Sequence, residues 1–95
     1  MAFIKTKKER DLILEGGLLL GAILDDLATM VRPGVTSLEI DREAERRIRE
    51  VGGIPAFKGY APSGHPPFPG TICASVNDEI VHGIPSKHVL IEGQI

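Results

Sequence analysis

The chain has 95 residues, room for one domain at most, with an ordinary balance of 42% hydrophobic and 25% charged residues; at 4% aromatic and without Trp, any core is aliphatic. A formal net charge of -2 gives no electrostatic footing for nucleic acid as the main partner, and the single cysteine, Cys73, excludes an internal disulfide framework and fits a reducing compartment. The apolar run from Leu18 to Leu24, bracketed by Glu15 and Asp25, is too short to span a bilayer, and no signal peptide is visible before the charged helix start, so the expected location is the cytoplasm.

Thr6-Lys7-Lys8-Glu9 reads as a capping box that starts a helix. Apolar or small residues then recur at Ile13, Gly17, Leu20, Leu24, Leu27 and Val31, with Leu12, Leu14, Leu18, Leu19 and Ile23 beside them. So broad a stripe predicts cover on more than one side. Gly16, Gly17 and Gly21 each cost about 1 kcal/mol relative to Ala, and close approach of another backbone is the expected compensation. Arg32-Pro33-Gly34 ends the helix. A second capping box, Thr36-Ser37-Leu38-Glu39, opens a charged surface helix whose one buried face is Ile40, Ala44, Ile48 and Val51, with Gly52-Gly53 as the left-handed cap.

Beyond Gly53 the period changes. Ile54 to Phe57 is a short strand candidate, and Lys58 to Gly70, with four prolines, must be loop. Thr71 to Val76 alternates as a strand. Asn77-Asp78 suits a two-residue turn with positive φ, and Glu79 to His82 returns as the second arm. Pro85 stops it. Val89-Leu90-Ile91 is a last short apolar segment before a turn at Glu92-Gly93. Two helices can cover one sheet face; the other face and an edge have no candidate cover, a sign that the chain is incomplete or assembles with something further.

Candidate metal donors are His65, His82, His88, Cys73 and scattered carboxylates, without HExxH, CxxC or a tight cluster, so structural zinc is not expected. Cys73 and His82 stand on opposite arms of the expected hairpin. That placement suits a thiol–imidazole pair, although a lone strand cysteine is ordinarily a small buried hydrophobe. His82 precedes the rigid bend Gly83-Ile84-Pro85, where an imidazole can face a cleft and donate a hydrogen bond; a purely structural histidine is the competing reading.

The run Ile72-Cys73-Ala74-Ser75-Val76-Asn77-Asp78-Glu79-Ile80-Val81-His82-Gly83-Ile84-Pro85 closely resembles the signature of type I methionine aminopeptidases, a branch of the pita-bread metallopeptidases. Ile4-Lys5-Thr6, the stretch Val31 to Thr36 with Leu38, Glu39 and Asp41, the stretch Pro55 to Tyr60, and Leu90 with Gly93 extend the resemblance over nearly the whole chain. It implies an α+β fold: residues 1–95 as a single partial domain, the N-terminal half of a pita-bread fold, with two helices packed on a small antiparallel sheet. It implies removal of the initiator methionine from nascent proteins by a water or hydroxide held between divalent metal ions, of Mn, Fe, Co or Zn type. By the same resemblance His82 is the catalytic-site histidine that hydrogen-bonds the substrate near the scissile amide. Phe57, Tyr60, Phe68 and Cys73 line the methionine side-chain pocket, whose aromatic and sulfur-bearing wall suits a thioether. The implied partners are the N-terminal Met of nascent peptides and the ribosome, with no membrane and no specific nucleic acid.

Three departures qualify this. The loop 61–67 is longer than is usual in the family, which loosens the match of Phe68. Gln94 stands where Asp is usual, and the sequence stops at Ile95 before any of the family's metal ligands. The expectation is therefore an N-terminal portion of such an enzyme, which binds no metal and is inactive alone. The alternative is a stand-alone interaction module, a half-fold that pairs with another chain. A non-peptidase pita-bread relative that binds nucleic acid is disfavoured by the acidic balance.

Overall fold

The computed structural model of the chain describes residues 3–95. Its regular elements are two helices, α1 (Lys7–Ala28) and α2 (Ser37–Glu50). Both open on the capping boxes that the sequence announces. Glu9 N–H donates to Thr6 Oγ1 (3.2 Å) while Thr6 N–H donates to Glu9 Oε2 (2.7 Å). Glu39 N–H and Thr36 N–H make the same exchange at 3.1 and 2.7 Å.

α1 stops at Ala28, short of Pro33, because Thr29 turns its hydroxyl back onto Asp26 O (2.6 Å) and the next amides tighten to i→i+3 bonds. α2 closes as a Schellman motif: Gly52 takes φ 84, its N–H donates to Arg49 O (3.0 Å), and Gly53 N–H reaches Ile48 O (2.8 Å).

The core is small. Ile23 and Leu27 from the end of α1 meet Ile40 and Ala44 of α2 and Val35 of the connection, with Met30, Ile48, Ile72 and Leu90 packed at the margin. An Asp26–Arg47 ion pair ties the helices at the surface. Residues 7–22 of α1 are exposed throughout. Two expectations are corrected here. The broad stripe of α1 is covered only at Ile23 and Leu27, and a Cβ at Gly16, Gly17 or Gly21 would meet nothing within 4 Å. Gly16 faces a cleft of about 260 Å³ shared with Ile54, Ala56 and Phe57, so no backbone packs closely against these glycines.

The expected antiparallel sheet is not confirmed. Among the described residues no strand forms; residues 54–57, 71–76 and 79–82 are defined but irregular backbone. The physical reason lies in the hairpin. Val81 (φ 35) and His82 (φ 54) are left-handed, which breaks the returning arm. The arms meet instead at Ala74 N–H to Gly83 O (2.9 Å), offset from the register that a two-residue turn would impose. The turn itself sits where expected: Asn77 has φ 57 and Glu79 N–H closes on Val76 O (3.2 Å). The segment around Val89 pairs with the α1–α2 connection. Gly34 N–H donates to Leu90 O (2.9 Å), Leu90 N–H to Val35 O (2.8 Å), and Thr36 and Val89 form an isolated antiparallel bridge.

Candidate functional site

Three segments that the sequence separates converge on one cavity of about 490 Å³. The first is the bend after α2, which supplies Phe57 and Tyr60. The second is the Pro-rich loop with the chain that follows it, which supplies Pro62, His65, Pro66, Pro67, Phe68, Pro69 and Cys73. The third is the returning arm, which supplies His82 and Ile84. The volume lies in the range of small-ligand sites.

The loop is closed at its base by a pair of backbone bonds. Gly59 N–H donates to Phe68 O and Phe68 N–H to Tyr60 O, both 2.8 Å. Gly59, at φ 82, supplies the left-handed turn that lets Tyr60 N–H also close on Phe57 O (3.0 Å). A longer loop can therefore bulge outward without moving Tyr60 or Phe68. Inside it, His65 N–H donates to Pro62 O (2.9 Å).

Cys73 and His82 meet across the hairpin, Sγ to Nδ1 at 3.7 Å, within reach for a hydrogen bond to sulfur. The thiol is exposed, so it is no buried hydrophobe. His82 has φ 54 and is followed by Gly83, whose amide donates to Ser75 Oγ (3.0 Å).

Phe57, Tyr60, Phe68, Cys73 and His82 thus share one cavity. Ile84 and His65 share it too, and sequence reasoning did not single them out as lining residues. Ile84 had a signal, since it stands two residues beyond His82 on the same arm. His65 had none, because nothing in a Pro-rich loop states which side chain turns inward.

Metal donors are dispersed. Among the described residues no three His, Cys, Asp or Glu side chains converge, so the residues present do not fit a divalent ion. His88 contacts Gln94 instead (Nε2 to Oε1, 3.3 Å), and Gln94 Oε1 also accepts Ile91 N–H (3.0 Å).

The chain is similar to known proteins along its whole length. The model for metallopeptidase family M24 matches residues 11–95. The chain is 44% identical to a methionine aminopeptidase of Clostridium acetobutylicum and 42% identical to methionine aminopeptidase 1 of Bacillus subtilis. In both cases it is matched along its whole length but spans only 36% of the relative. It superimposes on the crystal structure of methionine aminopeptidase from Rickettsia prowazekii with a TM-score of 0.88 at 32% identity, over 99% of this chain and 36% of that one. A streptococcal methionine aminopeptidase structure gives 0.89 at 28% identity, over 99% and 34%. The path of the chain is therefore that of pita-bread enzymes, even though its strand segments form no ladder.

Proposed function

The chain belongs to metallopeptidase family M24, and on that premise we propose that it supplies the substrate-side wall of a methionine aminopeptidase. The observation that carries the proposal is the convergence of Phe57, Tyr60, Phe68, Cys73 and His82 on one cavity. In this reading the aromatic rings and the thiol receive the side chain of an N-terminal methionine, where sulfur–aromatic contacts favour a thioether over an alkyl group. The imidazole of His82, placed at the cavity by the Gly83 bend, donates to the substrate near the scissile amide and holds it for attack. Membership of a metallopeptidase family implies divalent metal use, with Mn, Fe, Co or Zn as the ions to test. The described residues provide no ligand set for such an ion, so in this reading these 95 residues bind and orient the substrate without hydrolysing it. Cytoplasmic placement and contact with nascent chains at the ribosome follow from the same reading.

The test has two parts. Titration of the isotope-labelled chain with L-methionine amide is expected to shift NMR signals of the cavity residues, and L-lysine amide is expected not to. Incubation with a Met-Ala peptide and Co or Mn ions is expected to release no methionine. Metal-dependent release by this chain alone would overturn the division of labour.

A second reading is favoured by one observation. Leu12, Ile13, Leu14, Leu18, Leu20 and Leu24 are all more than half exposed along α1. A helix so bare suits a half-fold that pairs with another chain. Light scattering behind size exclusion distinguishes the two: a stable, folded monomer that unfolds cooperatively favours the module, and an aggregated or molten chain favours a portion of a larger enzyme.

A further inference from the structure

α2 carries Ser37, Asp41 and Glu45 at i, i+4 and i+8, one row along the helix. Each member holds a different segment of the cavity. Ser37 is buried; its Oγ accepts Ser86 N–H (2.8 Å) and donates to Ser86 O (3.3 Å), which fixes the chain just beyond Ile84. Asp41 is 4% exposed, and its Oδ1 accepts the amides of Thr71 (2.6 Å) and Ile72 (2.8 Å), which fixes the backbone immediately before Cys73. Glu45 Oε1 pairs with Lys58 Nζ (2.6 Å), between Phe57 and Tyr60.

The middle grip is the tightest. A Cβ added to Gly70 would lie 3.2 Å from Asp41 Oδ1 and 2.9 Å from Pro85 Cδ, so loop end, helix and returning arm touch at one point. A buried carboxylate is costly unless its hydrogen-bonding capacity is met. Here two backbone amides meet it, with no ion-pair partner among the described residues. Apolar packing at this position would hold the segments together without fixing their register; directional bonds fix both. The outward side of α2 behaves differently: Arg46 bonds Glu43 and Glu50 within the helix and reaches no cavity segment.

We infer that Ser37, Asp41 and Glu45 are positioning residues, a polar row that sets the aromatic wall against the Cys73–His82 contact without any of the three lining the cavity. The purpose of the row rests on the binding function proposed above; its geometry can be tested without a ligand. In Asp41→Ala, amide exchange protection at Thr71 and Ile72 is expected to fall about tenfold or more, the size of one lost charge-assisted bond. Methylthiolation of Cys73, which shifts the His82 ring signals when the two side chains are in contact, is expected to shift them no longer. Helical ellipticity and the α1–α2 amide signals should persist. Asp41→Asn, which keeps an acceptor oxygen, should restore the larger part of both effects, an outcome that general destabilisation would not give.

Should Asp41→Ala lose its helices, Glu45→Ala decides, because that substitution leaves the core intact. It is expected to move the Phe57 and Tyr60 ring signals while leaving the Cys73–His82 response unchanged. The inference is overturned if Asp41→Ala keeps that response, if Asp41→Asn does no better than Asp41→Ala, or if Glu45→Ala leaves the aromatic signals in place. Failure of L-methionine amide to bind the wild-type chain, with those results as expected, would count against the binding function alone.

Discussion

Leu24 and Leu27 lie three residues apart on α1 and should respond oppositely to truncation. Leu27 is 6% exposed and packs in the small cluster with Ile23, Val35, Ile40 and Ala44, whereas Leu24 is 64% exposed. Leu27→Ala removes buried methyl groups and leaves a cavity, a combined cost of about 3 kcal/mol. A domain of this length has a total stability of about 5–14 kcal/mol, and a core of so few buried side chains places it toward the lower end. The loss is then a large fraction of the whole. Leu24→Ala removes atoms already in water and gains slightly in helix propensity, so it should stay within about 0.5 kcal/mol. Urea unfolding followed by helical ellipticity measures both. If Leu24→Ala costs as much as Leu27→Ala, the outer face of α1 is covered in solution and the bare-helix arrangement is wrong. If neither costs much, the α1–α2 contact is not the core.

Three further outcomes are expected. Hydrogen bonds from Arg46, then Arg47, hold the Glu43 carboxyl at about 2 against an ordinary 4.5. A depressed carboxyl stabilises the fold above its unfolded value, so the contribution should be present above about pH 4.5 and lost as pH falls toward 2. It should weaken in salt, and a carboxyl-carbon NMR titration centred near 4.5 would remove its basis. In Gly83→Ala the new Cβ would lie 2.7 Å from Ser75 Cα and as near to the Ala74 carbonyl carbon, all backbone that cannot yield. The arms should part at a cost of about 1–3 kcal/mol, read as lost protection of the Ala74 amide; unchanged protection would show that the bend has room. Gly21→Ala should raise the unfolding midpoint, with a gain of about 0.5–1 kcal/mol, because its Cβ meets nothing within 4 Å. A loss instead would reveal a second backbone against that face.

The helices were legible because their signals are local. Each capping box occupies four consecutive residues, and the Gly52-Gly53 stop acts on the turn immediately before it. The stripe Ile40, Ala44 and Ile48 told which side of α2 is buried, although Val51, at the C-cap, is exposed. Strands were less legible. Alternation at Ile72, Ala74 and Val76 states a preference for one face, but a ladder needs a partner in register. The left-handed residues Val81 and His82 deny it one, and no propensity argument places Val at φ 35. The cavity residues came from family resemblance rather than from spacing, since Phe57 and His82 are far apart in sequence and only the fold unites them. The polar row on α2 stayed hidden for another reason. In a helix where charged residues abound, Asp41 and Glu45 look like solvated surface charges, and only their position beside the buried stripe distinguishes them.

That hidden row also explains how a cavity can be so well defined beside so thin a core. Residues 54–86 contribute no side chain to the buried cluster itself and only Ile72 to its margin. Their order comes from directed polar bonds: Asp41 to Thr71 and Ile72, Ser37 to Ser86, Gly59 to Phe68, and Ala74 to Gly83. Such bonds are worth about 1 kcal/mol each in water, and somewhat more where a charge accepts. They fix register well but resist opening poorly. The cavity wall should therefore open at lower energy than the α1–α2 contact, which opens with the fold as a whole. An apolar side chain seated between Phe57, Tyr60 and Phe68 would add the burial that this wall lacks. Binding and ordering of the wall are in that case one event, and, if the ligand is the methionine side chain proposed above, its affinity is reduced by whatever the wall costs to order. Strengthening the row at Asp41 or Glu45 tightens binding by lowering that cost, with no new contact to the ligand.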